Sequence, residues 1–421
     1  MDRPLKDLQL NYSDIDGGAA RAAYRIHHAL RSTGIDSQML VNIASSGDWT
    51  VQGPSTKSAK AISLMRPHLV SPLRMLLRTS NPIIHSPSVV PSCLHERINA
   101  SQADLVHLHW VQGEMLSVSS ISRITKPIVW TLHDMWAFSG SEHYTTDHRW
   151  REGYRRDNRP AHESGFDLNR WTWLRKRKHW REQMQIVCPS NWLAQCVSTS
   201  SLMSDWPVSV VPNPIDTDRW QPINQCLARQ LLGLPQDCPL LLFGAMGGSN
   251  DPRKGVDLLF SALAQLRSEI SLQNLQLVVF GQLAPQFPHH LGFPIHYTGH
   301  LHDDLSLRSL YSAADVMVIP SRQDNFPNTG LEASACGTPV VAFNIGGMPD
   351  IVEDRVTGAL ADPFEPSSLA AAICWVLEDD QRLQALGAAT RQKARQLWNS
   401  ARVAGLYAEV YEQAIARCSA Q

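Results

Sequence analysis

The sequence predicts an α/β protein made of two doubly wound domains. Short apolar runs, typical of buried parallel strands, alternate with helical segments in two separate series. The first series begins at Leu8–Leu10, and the pattern restarts at Leu240–Phe243 after the linker Pro212–Asp216. This class of fold binds ligands at the carboxyl ends of its strands. We therefore expect residues 1–212 and 213–396 to form two domains with a ligand cleft between them.

The first domain opens with a strand, a glycine-containing loop and a helix. The loop covers Asn11–Gly18, and apolar residues at helical spacing predict a helix over Ala19–Arg31. Three further strands are predicted, each ending in polar residues that would face the cleft: Asp36–Val41, Leu105–His109 and Ile128–Leu132. The serine- and proline-rich segment Trp49–Pro91 shows no clear period, and we interpret it as helices and loops.

The second domain continues with four more apolar runs. They predict strands at Leu275–Phe280, Ile295–Thr298, Val316–Ile319 and Val340–Phe343. A last helix is predicted over Leu397–Ala416, within a third segment that spans residues 397–421. One face of this helix carries Val403, Leu406, Tyr407, Val410, Tyr411 and Ala414.

Composition is typical of an enzyme with two large cores. The 421 residues are 43% hydrophobic, and no apolar run approaches the roughly 18 residues that a membrane span needs. The net charge of −1 gives no overall bias toward nucleic acid. The eight cysteines contain no C-x-x-C spacing, so neither a zinc ribbon nor a dithiol redox motif is supported. The sequence starts Met-Asp-Arg-Pro without an apolar signal region, which favours the cytoplasm.

The most informative segment is Pro320–Ala342. It predicts a strand, a polar turn, a helix over Thr329–Cys336 and a second strand, with the carboxylates Asp324 and Glu332 on either side of the turn. Backbone N–H groups at such a helix start favour phosphate, whereas carboxylates accept hydrogen bonds from sugar hydroxyls. The combination indicates a sugar-nucleotide site. In the structural alternative, Glu332 complements the helix dipole in the first turn and Asp324 caps the loop.

This segment resembles the E-x7-E region of retaining glycosyltransferases of family 4, which have the GT-B fold of two facing Rossmann-like domains. It is most similar to the branch that assembles bacterial exopolysaccharide and O-antigen, with the signature D-N-x-P-N-x-x-x-E-A-x-A-C-G-T-P-V-V-A-F. Asp324 stands where the wider family has its first Glu, as is usual in this branch. The resemblance covers nearly the whole chain. It also implies that the terminal helix packs back on the N-terminal domain.

The resemblance implies roles for the residues of this turn. Glu332 would hold the ribose of the donor, and Asp324 would hold the transferred sugar. Backbone N–H groups would assist at the diphosphate. The donor-binding stretch would consist of Asn325, Phe326, Pro327, Asn328 and Thr329.

Two further loops are candidates for contact with the donor. Gly17 and Gly18 follow the first strand, where the family's Gly-Gly loop lies against the diphosphate, although a simple turn is the alternative. Arg253 and Lys254 lie at a helix start and would neutralise charge that grows on the leaving diphosphate. The family's arginine just after the preceding strand is replaced here by Ala245-Met-Gly-Gly, and Arg253 is the candidate substitute.

His133 ends a strand that would face the cleft and matches the family's cleft histidine. Retaining transfer in which the acceptor attacks from the face that the diphosphate leaves needs no general base. We therefore expect His133 to bind the sugar or position the acceptor. A structural histidine is the alternative. His133, Lys254 and Asp324 form the predicted catalytic set, with no metal ligand among them.

A basic segment with interleaved tryptophans lies at Arg149–Arg181. It holds eleven Lys or Arg against four Asp or Glu, together with Trp150, Trp171, Trp173 and Trp180. Because no nucleic-acid module is recognisable, a membrane surface is the better functional interpretation. The alternative is a solvated helix with tryptophans packed underneath.

The sequence therefore predicts a hexosyltransferase that moves a sugar from a UDP- or GDP-sugar to a hydroxyl of a growing, lipid-linked glycan. No cofactor, obligatory metal or nucleic acid is expected, and the location is cytoplasmic with a peripheral contact to the inner face of the membrane. Two alternatives stay open: a non-catalytic protein that binds sugar nucleotides or acts as a scaffold, and a sugar-nucleotide 2-epimerase of the same fold.

Overall fold

The computed structural model describes residues 3–244, 251–267, 272–283, 292–301 and 303–420. The chain divides into two compact units: residues 1–214 with 400–421, and residues 215–399. The predicted boundaries at 212/213 and 396/397 lie two and three residues before these divisions. The glycine-containing stretch 245–248, where the family's arginine is replaced, lies outside the described residues.

The first unit contains nine strands and eight helices before its division from the second, counted over residues 3–214. In chain order they are β1 Lys6–Ser13, α1 Gly18–Ser32, β2 Asp36–Ile43, β3 Val51–Gln52, α2 Lys57–Leu69, α3 Ser71–Met75, β4 Leu77–Arg78, α4 Leu94–Asn99, β5 Leu105–Leu108, α5 Val118–Ile121, β6 Ile128–Thr131, α6 Arg149–Glu152, β7 Ser164–Gly165, α7 Leu168–His179, β8 Gln185–Cys188, α8 Asn191–Thr199 and β9 Val208–Val210. The segment that showed no clear period in the sequence thus contains α2, α3 and β4.

Seven of these strands form one parallel sheet in the order β3-β2-β1-β5-β6-β8-β9. The middle strands β5, β6 and β8 are mainly apolar and almost wholly buried, because helices cover both faces of a doubly wound sheet. β4 and β7 form a separate antiparallel pair, with Leu77 opposite Gly165. The loops that follow β1, β5 and β6 all leave the sheet at its carboxyl edge.

The second unit repeats the same design. Its elements are α9 Gln225–Leu232, β10 Leu240–Gly244, α10 Val256–Leu266, β11 Gln276–Phe280, β12 Ile295–Gly299, α11 Asp304–Ala313, β13 Val316–Ile319, α12 Asn328–Ala335, β14 Val340–Phe343, α13 Met348–Ile351, β15 Gly358–Ala361, α14 Pro366–Leu377 and α15 Asp380–Leu397. The parallel sheet among its described residues has the order β12-β11-β10-β13-β14-β15. Two parallel sheets with flanking helices confirm the predicted α/β class.

The last helix, α16 (Ser400–Ala420), belongs to the first unit. Its apolar face is buried against α1 and the underside of the sheet, and the cluster includes Val403, Tyr407, Val410 and Tyr411. Tyr411 donates its hydroxyl to Asp7 at 3.1 Å, and the same oxygen lies 2.7 Å from His107 Nδ1. The second unit is therefore inserted between two segments of the first.

Candidate functional site

The turn between β13 and α12 is built as the sequence predicts, with one shift. α12 begins at Asn328, one residue earlier than expected, and Pro327 is its N-cap residue. Proline has no side-chain acceptor, so it does not cap the backbone N–H groups of Asn328 and Thr329. Phe326 turns inward and packs edge-on against Trp398 with ring centroids 6.0 Å apart. Of Phe326, only the backbone is therefore suited to meet a ligand.

Asp324 and Lys254 are brought together although 70 residues separate them. Lys254 Nζ lies 2.7 Å from Asp324 Oδ2. The other carboxylate oxygen accepts the backbone N–H of Asn325 at 3.0 Å. The Lys254 side chain is a quarter exposed and Asp324 is nearly buried. A carboxylate and an ammonium thus share one small polar surface beside the start of α12.

Two glycines hold the Asp324 loop at close range. Gly255 has a φ of +64°, and a Cβ added there would lie 1.9 Å from the carbonyl oxygen of Pro320. Gly346 has a φ of +53°, and its added Cβ would lie 2.3 Å from the carbonyl oxygen of Asp324. Gly347 also donates its N–H to that oxygen at 3.1 Å. The loop is fixed from both sides by backbone contacts that any side chain would displace.

Arg322, which the sequence reasoning missed, joins this loop to the turn that carries Lys254. Its guanidinium forms two bonds with Asp257, at 2.7 and 2.5 Å, and a third with the carbonyl of Pro252 at 2.9 Å. The backbone N–H of Arg322 donates to the carbonyl of Arg253 at 2.6 Å. The pairing with Asp257 holds the pKa of that carboxyl below its usual range. No local sequence pattern identifies this role, because the partners lie 65 residues or more apart along the chain.

Arg253 is engaged within its own turn. Its guanidinium lies 2.7 and 3.2 Å from the two carboxylate oxygens of Asp251. The sequence suggested that the cations at this helix start bind an external anion. In the structure both face carboxylates of the protein: Arg253 pairs with Asp251, and Lys254 pairs with Asp324. A role for Arg253 at the diphosphate requires its guanidinium to extend beyond Asp251, and it stays a prediction.

Glu332 is not a first-turn residue, contrary to the structural alternative. It is the fifth residue of α12 and is only 3% exposed. Tyr311, on the preceding helix α11, donates its hydroxyl to Glu332 Oε2 at 2.8 Å. Glu332 is therefore packed inside the second unit and held by a neighbouring helix. Tyr311 was missed, since nothing in the sequence links residues of two successive helices.

Gly17 and Gly18 lie in the first unit, where β1 gives way to α1. Gly17 is the N-cap of α1 with a φ of +101°. The loop is anchored by Asp14, whose carboxylate accepts the backbone N–H groups of Ile15, Ser45 and Ser46 at 2.8 to 3.0 Å. Asp14 is fully buried and was also missed. It joins the glycine loop to the chain that follows β2.

His133 follows β6 and contacts a buried chain of polar side chains. Its Nε2 lies 3.2 Å from His109 Nδ1, and His109 Nε2 lies 3.1 Å from Gln9 Oε1. Because Gln9 Oε1 is an acceptor, a neutral His109 carries its proton on Nε2 and donates it to Gln9. His109 Nδ1 then accepts a hydrogen bond from the Nε2–H of His133. Burial lowers the pKa of His133 to about 4 and that of His109 well below its usual value. His133 is therefore a neutral and weakly basic imidazole near pH 7.

The same chain of polar groups reaches a cluster with the chemistry of metal ligands, formed by His27, His28 and Asp48. His28 Nε2 lies 2.8 Å from Asp48 Oδ2. The ring nitrogens of His27 lie 2.8 Å from Ser37 Oγ and 2.7 Å from Thr50 Oγ1. Hydrogen bonds within the protein therefore account for this geometry.

The basic, tryptophan-rich segment does not present its rings to a membrane. Trp150, Trp173 and Trp180 are buried in the core of the first unit, and Trp171 is half-buried. Lys176 is fully buried, and its ammonium donates to the carbonyls of Trp136, Ser139 and Gly140. The prediction that these tryptophans insert into lipid is wrong because apolar aromatic area is buried under the helix instead. No helix among the described residues is long and apolar enough to cross a bilayer.

The predicted site residues thus fall into two groups. Lys254, Arg253 and the stretch Asp324–Glu332 lie together in the second unit, whereas Gly17, Gly18 and His133 lie at the carboxyl edge of the sheet in the first. This distribution is what a doubly wound fold provides, because loops after parallel strands gather at one edge.

Solved structures with little sequence similarity share this fold. Sucrose-phosphate synthase from Thermosynechococcus elongatus has a TM-score of 0.68 at 18% identity, covering 98% of this chain and 100% of that one. HepE from Anabaena, in complex with UDP-glucose, has a TM-score of 0.63 at 19% identity, covering 97% and 100%. WaaG, a glycosyltransferase involved in lipopolysaccharide biosynthesis, has a TM-score of 0.60 at 18% identity, covering 95% and 99%. The likeness shows that the fold is GT-B.

Relatives by sequence cover less of the molecule. A D-inositol 3-phosphate glycosyltransferase of Xylanimonas cellulosilytica is 36% identical over 227 residues, which is 50% of this chain and 52% of that protein. An MMP alpha-(1->4)-mannosyltransferase of Mycolicibacterium hassiacum is 32% identical over 53% of this chain and 54% of that protein. The chain thus spans about half the length of the curated relatives it matches.

Two family descriptions match the sequence, one in each half. Residues 16–219 match Glycosyltransferase Family 4, and residues 240–379 match Glycosyl transferases group 1. The second range contains the Lys254 turn, the Asp324 loop and Glu332. The resemblance to family 4 is confirmed, whereas the exopolysaccharide and O-antigen branch stays a prediction. The chain belongs to the GT-B glycosyltransferases of family 4.

Proposed function

We propose that this protein is a retaining hexosyltransferase that uses a UDP- or GDP-sugar and transfers the sugar to a hydroxyl of a growing, lipid-linked bacterial glycan. The observation that carries the proposal is the pair Lys254–Asp324, held at 2.7 Å, with Asp324 in the loop that leads into α12 and Glu332 about one turn into that helix. An ammonium, a carboxylate and helix N–H groups in one place suit a ligand that has both phosphates and hydroxyls.

Each part of the donor would meet a matching group. The N–H groups of Phe326, Asn328 and Thr329 suit the diphosphate, and Glu332, oriented by Tyr311, suits the ribose diol. Asp324 would accept hydrogen bonds from the transferred sugar. Lys254 would move part of its interaction from Asp324 to the diphosphate as negative charge grows there.

The reaction exchanges one C–O bond for another at the anomeric carbon. The bond to the diphosphate breaks with its electron pair on the phosphate oxygen, and a bond to the acceptor oxygen forms on the same face. The acceptor proton can then pass to the departing phosphate. A His133 with a pKa of about 4 is a poor proton acceptor near pH 7, which supports a role in positioning the sugar or the acceptor.

Three comparisons support the substrate class. HepE was solved in complex with UDP-glucose, WaaG is named for lipopolysaccharide biosynthesis, and the sequence relatives are named for transfer to inositol phosphate or for mannosyl transfer. All involve sugars, and the first involves a nucleotide donor. The hexose, the base and the acceptor are proposals for this chain.

A donor screen tests the proposal. Thermal unfolding is followed with a panel of UDP- and GDP-sugars, since a ligand at a hundred times its dissociation constant stabilises the fold by about 2.7 kcal/mol. Donors that bind are then incubated with glycan acceptors, with and without EDTA, and released nucleotide is measured. Nucleotide release that survives EDTA is expected, because no metal is assigned to the site.

The alternatives give different results in the same experiment. Stabilisation by a donor without nucleotide release, even with acceptors present, would favour a binding or scaffolding protein. A change in the sugar's configuration while it remains attached to the nucleotide would indicate a 2-epimerase. Stabilisation by no donor would reject the nucleotide-sugar site itself.

A further inference from the structure

A cavity lies at the amino edge of the sheet in the first unit, opposite the edge that carries His133. Its volume is about 270 Å³, and it opens between the loops that lead into β6 and β8. The last turns of α16 contribute Ala414, Arg417 and Cys418 to its lining. The first residue of β6, Ile128, also lines the cavity, and His133 lies five residues further on, roughly 16 Å away at about 3.3 Å per residue. The cavity is therefore separate from the predicted site residues of this unit.

Part of the lining is apolar and tightly packed. Trp180 is 4% exposed, and its indole N–H donates to the carbonyl of Val118 at 2.9 Å. Its ring packs edge-on against Trp130 of β6, with centroids 5.4 Å apart. Burying the flat face of a ligand here would remove apolar area from water. The other apolar lining residues are Ile121, Ile124, Pro127, Ile128 and Met184.

Three cations, Lys126, Arg181 and Arg417, also line the cavity. Their hydrogen bonds within the protein go to neutral oxygens. Arg417 donates to the amide oxygen of Gln185 at 2.8 Å, while Lys126 and Arg181 each donate to one backbone carbonyl, at 2.8 and 3.3 Å. An ammonium has three N–H donors and a guanidinium has five, so further donors remain for a ligand. A phosphate accepts several such charge-assisted bonds at once.

A buried amide fixes the position of Arg417. Gln185 opens β8, is 3% exposed and also lines the cavity. Its Nε2 donates to Ser209 Oγ on the neighbouring strand β9 at 3.2 Å, and its Oε1 accepts from the guanidinium. Because the amide is held on the strand side, the guanidinium is placed at the cavity before any ligand arrives.

The lining stays positive when the carboxylates are counted. Among the lining residues, all of which the structure describes, Glu182 alone is acidic. Two further carboxylates lie nearby and are already engaged. Gln183 donates to Asp205 Oδ2 at 3.2 Å, and Arg3 pairs with Asp104 at 2.5 Å.

His179, another lining residue, lies in this positive surrounding. Its pKa is lowered by partial burial and then by the charges of Arg175, Lys178 and Arg123. Helix dipoles give a simpler account of part of the charge, because Arg417 lies in the last turn of α16 and Arg181 follows the end of α7.

The dipoles do not account for all three cations. Lys126 lies in a loop, five residues beyond the end of α5 at Ile121. A helix end explains single cations, each at its own helix, and does not explain why Lys126, Arg181 and Arg417 border one cavity. Recognition of an anion explains this convergence.

We propose that this cavity binds a small phosphomonoester with a compact planar body, such as a nucleoside monophosphate. The phosphate lies against Lys126, Arg181 and Arg417, and the planar body lies on the apolar lining beside Trp180. The inference goes beyond the proposed function and does not rest on it, because it concerns the opposite edge of the sheet and needs no turnover.

A thiol in the lining reports whether the cavity is occupied. Cys418 is exposed there, and Cys93 and Cys226 are exposed elsewhere and serve as internal controls. Alkylation of each by iodoacetamide is followed by peptide mass spectrometry, with AMP as the probe. At ten times its dissociation constant AMP fills about nine-tenths of the sites, so alkylation of Cys418 should slow about tenfold and that of the controls should not change. Unchanged alkylation of Cys418 in AMP would overturn the proposal.

Calorimetric titration separates the two parts of the ligand. Adenosine, which lacks the phosphate, and ribose 5-phosphate, which lacks the planar base, should each bind at least about tenfold more weakly than AMP. Adenosine that binds as tightly as AMP would contradict recognition by the cations. Ribose 5-phosphate that binds as tightly as AMP would contradict recognition of the planar body.

Variants with matched charge locate the phosphate. Lys126→Gln combined with Arg417→Gln should weaken AMP binding about a hundredfold, at about tenfold for each cation. The control, Lys57→Gln combined with Lys60→Gln, changes the net charge equally at exposed positions of α2 and should bind AMP as wild type does. Equal weakening in both would mean unspecific attraction and overturn the proposal. If the first variant unfolds at a lower temperature, Arg181→Gln replaces it, because this side chain is exposed and its loss should still weaken binding about tenfold.

The predicted donor site is a second place where a nucleotide could bind, and one variant distinguishes the two. Protection of Cys418 by AMP should persist in Lys254→Ala. Protection that disappears in Lys254→Ala would assign AMP to the donor site and overturn this inference. Failure of every sugar nucleotide to bind, with Cys418 still protected by AMP, would reject the proposed function and keep this cavity as a ligand site.

Discussion

The backbone contact at Gly255 gives the sharpest test of the site. Gly255 and Gly233 have the same backbone conformation, φ 64° and ψ 29°. A Cβ at Gly233 meets nothing within 4 Å, whereas a Cβ at Gly255 would lie 1.9 Å from the Pro320 carbonyl oxygen. Gly233→Ala therefore measures the cost of left-handed backbone alone. Gly255→Ala adds the displacement of the Asp324 loop.

The structure sets the size of that displacement. Real Cβ atoms essentially never come closer than 3.0 Å to another heavy atom, so the Pro320 loop and the Lys254 turn must separate by about 1.1 Å. Left-handed strain costs roughly 1–2 kcal/mol in both variants. A misplacement of about 1 Å at a reacting centre can cost about a hundredfold in rate. We expect Gly255→Ala to lower turnover about a hundredfold and Gly233→Ala to leave turnover within about twofold of wild type.

The assay is nucleotide release with the donor found in the screen, together with urea unfolding of all three proteins. The two alanine variants should lose similar stability if the loop simply moves away. Equal turnover in Gly255→Ala and Gly233→Ala would refute the claim that the Asp324 loop must stay against the Lys254 turn.

Three other predictions concern single side chains. Glu332→Gln should lower donor affinity about ten- to a hundredfold in calorimetric titration, since charge-assisted bonds contribute roughly 1.5–3 kcal/mol. Tyr311→Phe keeps the carboxylate and should lower donor affinity less. Unchanged affinity in Glu332→Gln would remove Glu332 from the site. Lys254→Ala should reduce kcat more than it raises KM, because the diphosphate's charge is greatest as the glycosidic bond breaks. If Arg253→Ala leaves both kcat and KM unchanged, the family's missing arginine has no replacement in this turn. Burial lowers the pKa of His27 to about 3, so its neutral form stabilises the fold fully above pH 6.5 and that contribution is lost as the pH falls toward 3. In His27→Gln, the free energy of unfolding measured by urea should therefore fall less steeply than in wild type between pH 6.5 and 5, and the two slopes should differ by about 1.4 kcal/mol per pH unit. Equal slopes would contradict a neutral buried His27.

The parts of the fold that the sequence predicted well are those that local pattern determines. β13 and β14 match the predicted strands residue for residue, because a strand buried on both faces is a continuous apolar run. The start of α12 was misplaced by one residue, since Asn328 is suited to the turn as well as to the first helical position. Local chemistry could not decide between the two.

The sequence suggested candidate site residues but not how they pair. The sequence proposed Asp324, Glu332 and Lys254 as site residues, yet the contacts Lys254–Asp324 and Tyr311–Glu332 join different elements and depend on how these pack. For the same reason Arg322 was overlooked, since it lies in the loop after β13 and its partner Asp257 lies on α10.

The burial of apolar residues in and near the helices α2 and α7 could not be deduced from the sequence. Trp173 and Trp180 sit among cations and were expected outside, but they are buried in the core. Ile62 and Met65 lie in a segment without a clear period and are exposed. A periodic pattern shows which residues share a face, and it does not show whether that face meets protein or solvent.

The insertion of the second unit into the first has a consequence for how the chain folds during translation. Residues 215–399 form a continuous segment and can fold as they leave the ribosome. The first unit has to wait, because α16, which is translated later, supplies Tyr407 and Tyr411 to its core and a hydroxyl between Asp7 and His107. Until then the apolar groups of Ile26, Leu30 and Leu105 lack their cover. We expect nascent chains arrested before residue 400 to be cleaved by protease in the first unit and protected in the second, so that completing the first unit is the last step of folding.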